Sequence, residues 1–73
     1  MARELAALKT RIGSRIRSKR AALRIPQEEL AFQVDISPTY LSQIESGKRN
    51  VSLEVLYRIA KALKLELSEL VSS

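Results

Sequence analysis

Apolar positions along this chain recur with a helical period. Leu5, Leu8, Ile12, Ile16 and Leu23 stand three, four or seven residues apart, which predicts a first helix over about residues 4–23. Gly13 lies inside it, where glycine costs about 1 kcal/mol relative to alanine. Pro26 ends any continuation. Gln27, Glu28 and Glu29 then form the first turn of a second helix, and the two acids suit the positive end of its dipole. Leu30, Ala31 and Val34 mark its inner face. A third helix is predicted over residues 38–45, opened by Ser37-Pro38: a hydroxyl N-cap, then a proline whose missing N–H would have no intrahelical partner. Leu41 and Ile44 mark its inner face, and Gly47 follows as a left-handed stop. Ser52 is a good N-cap for a fourth helix carrying the stripe Leu53, Leu56, Ile59, Ala60 and Leu63, with Lys61 and Lys64 near its negative pole. A last short turn covers residues 68–71. Strand alternation and Asn-Gly or Asp-Gly hairpin signals are absent.

The most specific stretch is residues 27–46. Only three or four residues separate the second and third helices, too few for a crossover, so the two must meet at a steep angle. This is a helix-turn-helix arrangement, which presents its second helix to a DNA major groove. Charge placement agrees with a polyanionic partner. Residues 1–24 hold eight Lys/Arg against one acid, residues 25–73 hold five against seven, and the whole chain carries +5.

Composition narrows the chemistry. With no cysteine and no histidine, thiol nucleophiles, the usual zinc sites and imidazole acid–base catalysis are excluded, and no Ser/Lys/carboxylate constellation stands at usable spacing. The chain is expected to be neither an enzyme nor a cofactor binder. No apolar run approaches the roughly twenty residues of a membrane span, and the N-terminus lacks a signal peptide's apolar core, so a cytoplasmic protein without membrane contact is expected. At 73 residues one domain is expected, near the lower size limit for a stable core, and oligomerisation is the obvious support.

Several segments together resemble the phage-repressor (Cro/C1, or Xre) helix-turn-helix family: Gln27-Glu28-Glu29-Leu30-Ala31, Ile36-Ser37, Tyr40-Leu41-Ser42, Ile44-Glu45, Ser46-Gly47-Lys48-Arg49, Ser52-Leu53 and Ile59-Ala60-Lys61-Ala62-Leu63. The likeness covers about residues 12–71. It implies an all-α, compact five-helix bundle of the lambda-repressor type that binds double-stranded DNA as a symmetric homodimer. Among stand-alone members of this size, restriction–modification controller proteins are the most similar, beside small phage and plasmid repressors. Three positions depart from the family: Pro26 replaces a side-chain N-cap, while Asp35 and Lys64 stand where glycine is usual. These departures bear on cap geometry and remove no DNA-contacting group.

The outward positions of the third helix, Pro38, Thr39, Tyr40, Ser42 and Gln43, are the base-reading candidates. Gln43 can pair with adenine; Thr39 can meet a thymine methyl, and Tyr40 suits either a thymine methyl or a phosphate. The resemblance places Gln27 on a phosphate and the loop Lys48, Arg49 and Asn50 along the DNA backbone, with a narrow minor groove as a second destination for Arg49. Ser37, Arg17 and Arg24 complete the backbone set; Arg11, Arg15 and Lys19 read as solvated charges. The resemblance implies that Arg20 and Glu45 form a structural ion pair, tying the first helix to the end of the third. Val51, Tyr57, Leu67, Leu70 and Val71 are assigned to the dimer interface, and Phe32 is expected to pack on the turns around Leu5 and Leu8. Glu28, Glu29 and Glu54 offer an acidic surface to RNA polymerase, and no small-molecule effector is expected. The rival reading is an antitoxin-like subunit whose helix-turn-helix mainly holds a protein partner.

Overall fold

The computed structural model describes residues 1–72 and is built of five helices: α1 (Ala2–Ala22), α2 (Gln27–Gln33), α3 (Pro38–Glu45), α4 (Leu53–Ala62) and α5 (Leu67–Val71). No strand occurs among the described residues, and no helix there is long and apolar enough to cross a membrane. The inward stripes meet in one core. Ile16 of α1, Leu30 and Val34 at α2, Leu41 and Ile44 of α3, Ile59 and Leu63 at α4 and Leu70 of α5 are all fully buried. Ser37 and Ser52 cap α3 and α4, each accepting a hydrogen bond from the backbone N–H three residues on, at 3.0 and 3.1 Å. Pro26 starts α2 with no side-chain cap.

Four of the helices stop in the same way. After α1, Arg24 N–H donates to the Ala21 carbonyl and Ile25 N–H to that of Arg20; Asp35 and Ile36 repeat the pair after α2, Gly47 and Lys48 after α3, and Lys64 and Leu65 after α4. In each case the first of the two residues has left-handed backbone, with φ of 59°, 61°, 76° and 60° respectively. This is the Schellman stop, which satisfies two carbonyls that the helix leaves unpaired. Three of these residues are not glycine, so those turns carry local strain. The next residue supplies the compensation: Ile25, Ile36 and Leu65 each pack against the core. At α3 the next residue is Lys48, which is exposed. That exit alone lets its loop point away from the core.

Two contacts set α3 against α1. A Cβ at Gly13 would collide with the backbone carbonyls of Ile44 and Glu45, so glycine is there for close approach of the two helices. Nearby, Arg20 Nε donates to Glu45 Oε2 at 2.8 Å and Arg20 Nη2 to Oε1 at 3.0 Å, while Arg20 Nη1 donates to the Ile25 carbonyl at 2.9 Å. The expected pair is therefore present and two-pronged, and it also braces the turn into α2. Hydrogen bonding to Glu45 raises the Arg20 guanidinium above its ordinary value; burial opposes this and the charge of Glu45 adds to it. The Glu45 side chain is only 3% exposed, so these partners take the place of water around its carboxylate oxygens.

Two packing expectations are corrected. Leu70, assigned to the dimer face, is fully buried: α5 docks on α1 and α4 with this side chain inward. Phe32 does not meet Leu5 or Leu8; it is 84% exposed, because α2 buries the side defined by Leu30, Ala31 and Val34. Arg11 and Arg15 are not solvated charges either. Arg11 Nε donates to the Ser72 carbonyl at 3.1 Å, and Arg15 Nη1 reaches the carbonyls of Leu70 at 3.2 Å, Glu69 at 3.3 Å and Ser72. They satisfy the carbonyl end of α5, where cations are favoured.

Gly13→Ala is expected to lower stability by up to about 2 kcal/mol in urea unfolding, because an overpacking cost of about 1–3 kcal/mol outweighs the roughly 1 kcal/mol helix-propensity gain; the exposed Ser14→Ala should change little. Arg20→Ala, which strands a buried carboxylate, should cost about 3 kcal/mol. Equal stability of Arg20→Ala and the parent would mean the pair does no structural work.

Candidate nucleic-acid interface

Ser37 and the first turn of α3 place Pro38 and Thr39 on the surface, both exposed, with Ser42 one turn further along. The Ser37 oxygen is engaged as the cap acceptor, which leaves its hydroxyl hydrogen free to donate outward. Tyr40 and Gln43 are half-buried. Both lean on the loop that follows α3: Arg49 Nη1 donates to Gln43 Oε1 at 2.7 Å, and the Arg49 guanidinium carbon lies 5.0 Å from the Tyr40 ring centroid. Tyr40 Oη donates to the Asn50 carbonyl at 3.5 Å. The base-reading candidates and the basic loop thus form one surface.

Gln27 is held differently. Its Nε2 donates to Glu45 Oε1 at 3.1 Å, so this amide extends the Arg20–Glu45 pair and ties the start of α2 to the end of α3. Lys48, Arg49 and Asn50 are exposed beside α3, and Arg17 and Arg24 are exposed near the junction of α1 with α2. Three of the eight basic residues in the first 24 are drawn into the fold: Arg20 on Glu45, and Arg11 and Arg15 on α5. The free positive charge beside α3 is smaller than the local count suggests. Among the described residues no cluster of acidic side chains could hold a metal ion.

Arg58 was not singled out by sequence reasoning, yet it fixes the motif from behind. Its Nη1 donates to the Val34 carbonyl at 2.8 Å, linking α4 to the last turn of α2. Nothing in the local sequence marks it off from the other basic residues of α4.

The remaining dimer candidates flank two separate grooves. Val51 and Val71 line one with Leu5, Leu8 and Leu53. Tyr57, 53% exposed, and Leu67 line the other with Ala60 and Leu65, and Lys61 Nζ lies 5.8 Å from the Tyr57 ring centroid. Leu67 and Val71 stand four residues apart on α5, on one side of that helix, so the two grooves adjoin there.

Comparison with known proteins agrees with this geometry. The helix-turn-helix family (HTH_3) matches residues 16–70. Control protein C.MunI from Mycoplasma sp. is 42% identical over 66 residues, covering 89% of each chain. The crystal structure of the restriction-modification controller protein C.AhdI from Aeromonas hydrophila superposes with a TM-score of 0.83 at 39% identity, over 88% of this chain and 97% of that one. The P22 c2 repressor, solved with a synthetic operator, superposes with a TM-score of 0.79 at 33% identity, over 84% of this chain and 92% of that one. None of these relatives is described as an enzyme. The chain belongs to the helix-turn-helix family and is a transcriptional regulator of that type, close to the restriction–modification controller proteins.

Proposed function

We propose that this regulator binds a two-fold DNA operator as a homodimer and controls its own operon, as a restriction–modification controller protein acting in the cytoplasm. One observation carries this reading: a helix face bearing Thr39, Ser42 and Gln43 is flanked by the exposed loop Lys48-Arg49-Asn50, on a helix held rigidly by Gly13 and Glu45. That combination is suited to base contact at the centre and phosphate contact at the rim. Lys48, with Arg17 and Arg24, supplies the phosphate-neutralising charge, and Ser37 donates from the helix start. Gln27 holds α2 against Glu45 and orients the motif. Similarity to a repressor solved on operator DNA supports the pose.

A second copy is proposed to cover the half-buried Val51, Leu67 and Val71 and the exposed Tyr57. The two recognition helices would then sit about 34 Å apart, one turn of duplex, which sets the half-site spacing. Phe32, with Glu28 and Glu29 beside it on the exposed side of α2, provides an acidic and apolar surface. It suits contact with RNA polymerase, and this surface is also what favours the alternative of a subunit that holds a protein partner.

Footprinting on the DNA upstream of its own gene, across a salt series, should show a two-fold protected site with a steep salt slope. Lys48→Ala should weaken binding to all sequences and reduce that slope by about one. Uniform binding to every duplex would sink the operator model. Tyr57→Glu, at an exposed position, should shift the chain toward monomer in sedimentation and weaken operator binding; an unchanged mass and affinity would remove Tyr57 from the interface.

A further inference from the structure

We propose that Arg49, braced by Gln43 and Tyr40, reads a guanine in the major groove, and that Gln43 serves as its positioning partner and not as an adenine reader. The proposal rests on the DNA-reading assignment above and refines which residue specifies which base.

The course of the chain brings Arg49 there. The α3 stop turns the backbone sharply, with Gly47 N–H on the Ile44 carbonyl and Lys48 N–H on the Gln43 carbonyl, both at 3.0 Å. Glycine is favoured at this turn: the φ of Gly47 is +76°, and a Cβ would press on Thr10 at 3.0 Å. Since Lys48 does not dock on the core, the loop is free to fold back along the outer side of α3. Tyr40 lies beside it there, its Oη at a long 3.5 Å from the Asn50 carbonyl. Arg49 is then fixed on two sides, by the 2.7 Å bond to Gln43 Oε1 and by the Tyr40 ring under its guanidinium plane. An arginine braced this way has little rotational freedom left to lose on binding.

The donor and acceptor inventory then selects the base. Arg49 has five N–H donors, one of them on Gln43, and no acceptor. The Gln43 carboxamide oxygen already accepts from that cation, so its remaining lone pair lies beside guanidinium donors, and its N–H2 group stays available to donate. An adenine amino group approaching the same oxygen would set its N–H dipoles beside those of the guanidinium, donor against donor. The composite face is therefore a donor surface. Guanine alone presents two adjacent acceptors, O6 and N7, in the major groove, and an arginine fork matches them bidentately. The position of Arg49 beside an outward residue of α3 also carries it into the groove that α3 enters, and away from the minor groove.

The test uses the full chain and a pool of random-sequence duplexes to select a bound site, followed by affinity measurements on that site with single-base changes. At the position whose identity depends on Arg49, guanine should be preferred over adenine by roughly 5- to 150-fold. Replacing that guanine with 7-deazaguanine, which lacks the N7 acceptor, should lose much of the preference. Arg49→Ala should abolish it and admit adenine, because Gln43 Oε1 is released; Arg49→Lys should retain the salt dependence without restoring the preference. Arg49 is exposed, so its variants should melt like the parent, and a melting curve confirms this. If Arg49→Ala weakens binding equally for all sequences, or if 7-deazaguanine changes nothing, the guanine assignment is overturned while the operator reading stands. Selection of no preferred sequence overturns the operator reading and this proposal with it.

Discussion

The close approach of α1 to the last turn of α3 is the constraint on which the rest of the structure depends. With hydrogen in place of a side chain at Gly13, the carbonyls of Ile44 and Glu45 lie directly against the first helix. That approach brings Arg20 within reach of Glu45, and the pair then collects Gln27 from α2 and the Ile25 carbonyl from the turn between α1 and α2. One buried carboxylate so connects three helices and fixes the angle at which α3 leaves the molecular surface. A glycine that weakens α1 as an isolated helix strengthens the bundle, since the helical cost of about 1 kcal/mol is smaller than the cost of forcing the two backbones apart.

The repeated Schellman stops explain how a chain with two glycines makes four sharp helix ends. Asp35 and Lys64 were legible as positions under backbone strain because the family usually has glycine there. Arg24 was not, since neither its residue type nor its neighbours suggest a left-handed conformation. In retrospect the signal is the apolar residue that follows: Ile25, Ile36 and Leu65 each draw the chain back onto the core and hold the strained residue in place. Partial burial of an aliphatic side chain, at roughly 25 cal/mol per Å² of apolar surface removed from water, offsets part of the cost of a left-handed residue, about 1–2 kcal/mol. A pattern of helix, polar residue, aliphatic residue can therefore mark a stop without glycine.

The helices themselves, their capping serines and most of the core were legible because apolar spacing and N-cap chemistry are local properties. What escaped was non-local. Leu67, Leu70 and Val71 look equally available in a short apolar turn, and only the docking of α5 on α1 shows that Leu70 faces inward. Arg11 and Arg15 look like part of a basic patch, yet their partners are carbonyls more than fifty residues away. Phe32 invited an apolar neighbour, but α2 already buries a different side. The α3 candidates were legible as a surface, while the bond between Gln43 and Arg49 depends on the direction in which the loop leaves Gly47.

That direction also separates what the fold needs from what recognition needs. At α1, α2 and α4 the residue after the left-handed turn is half-buried against the core, so changing it would disturb that packing. At α3 it is Lys48, and Lys48, Arg49 and Asn50 lie outside. Substitutions in this loop and on the outer face of α3 can therefore alter hydrogen-bonding capacity with little effect on stability, as expected of surface positions. The inner residues Leu41, Ile44 and Glu45 lack that freedom, because each is held by the core or by Arg20. In a regulator built this way the exposed side chains of α3 and of the loop after it can change while the angle of α3 stays set by Gly13 and Glu45.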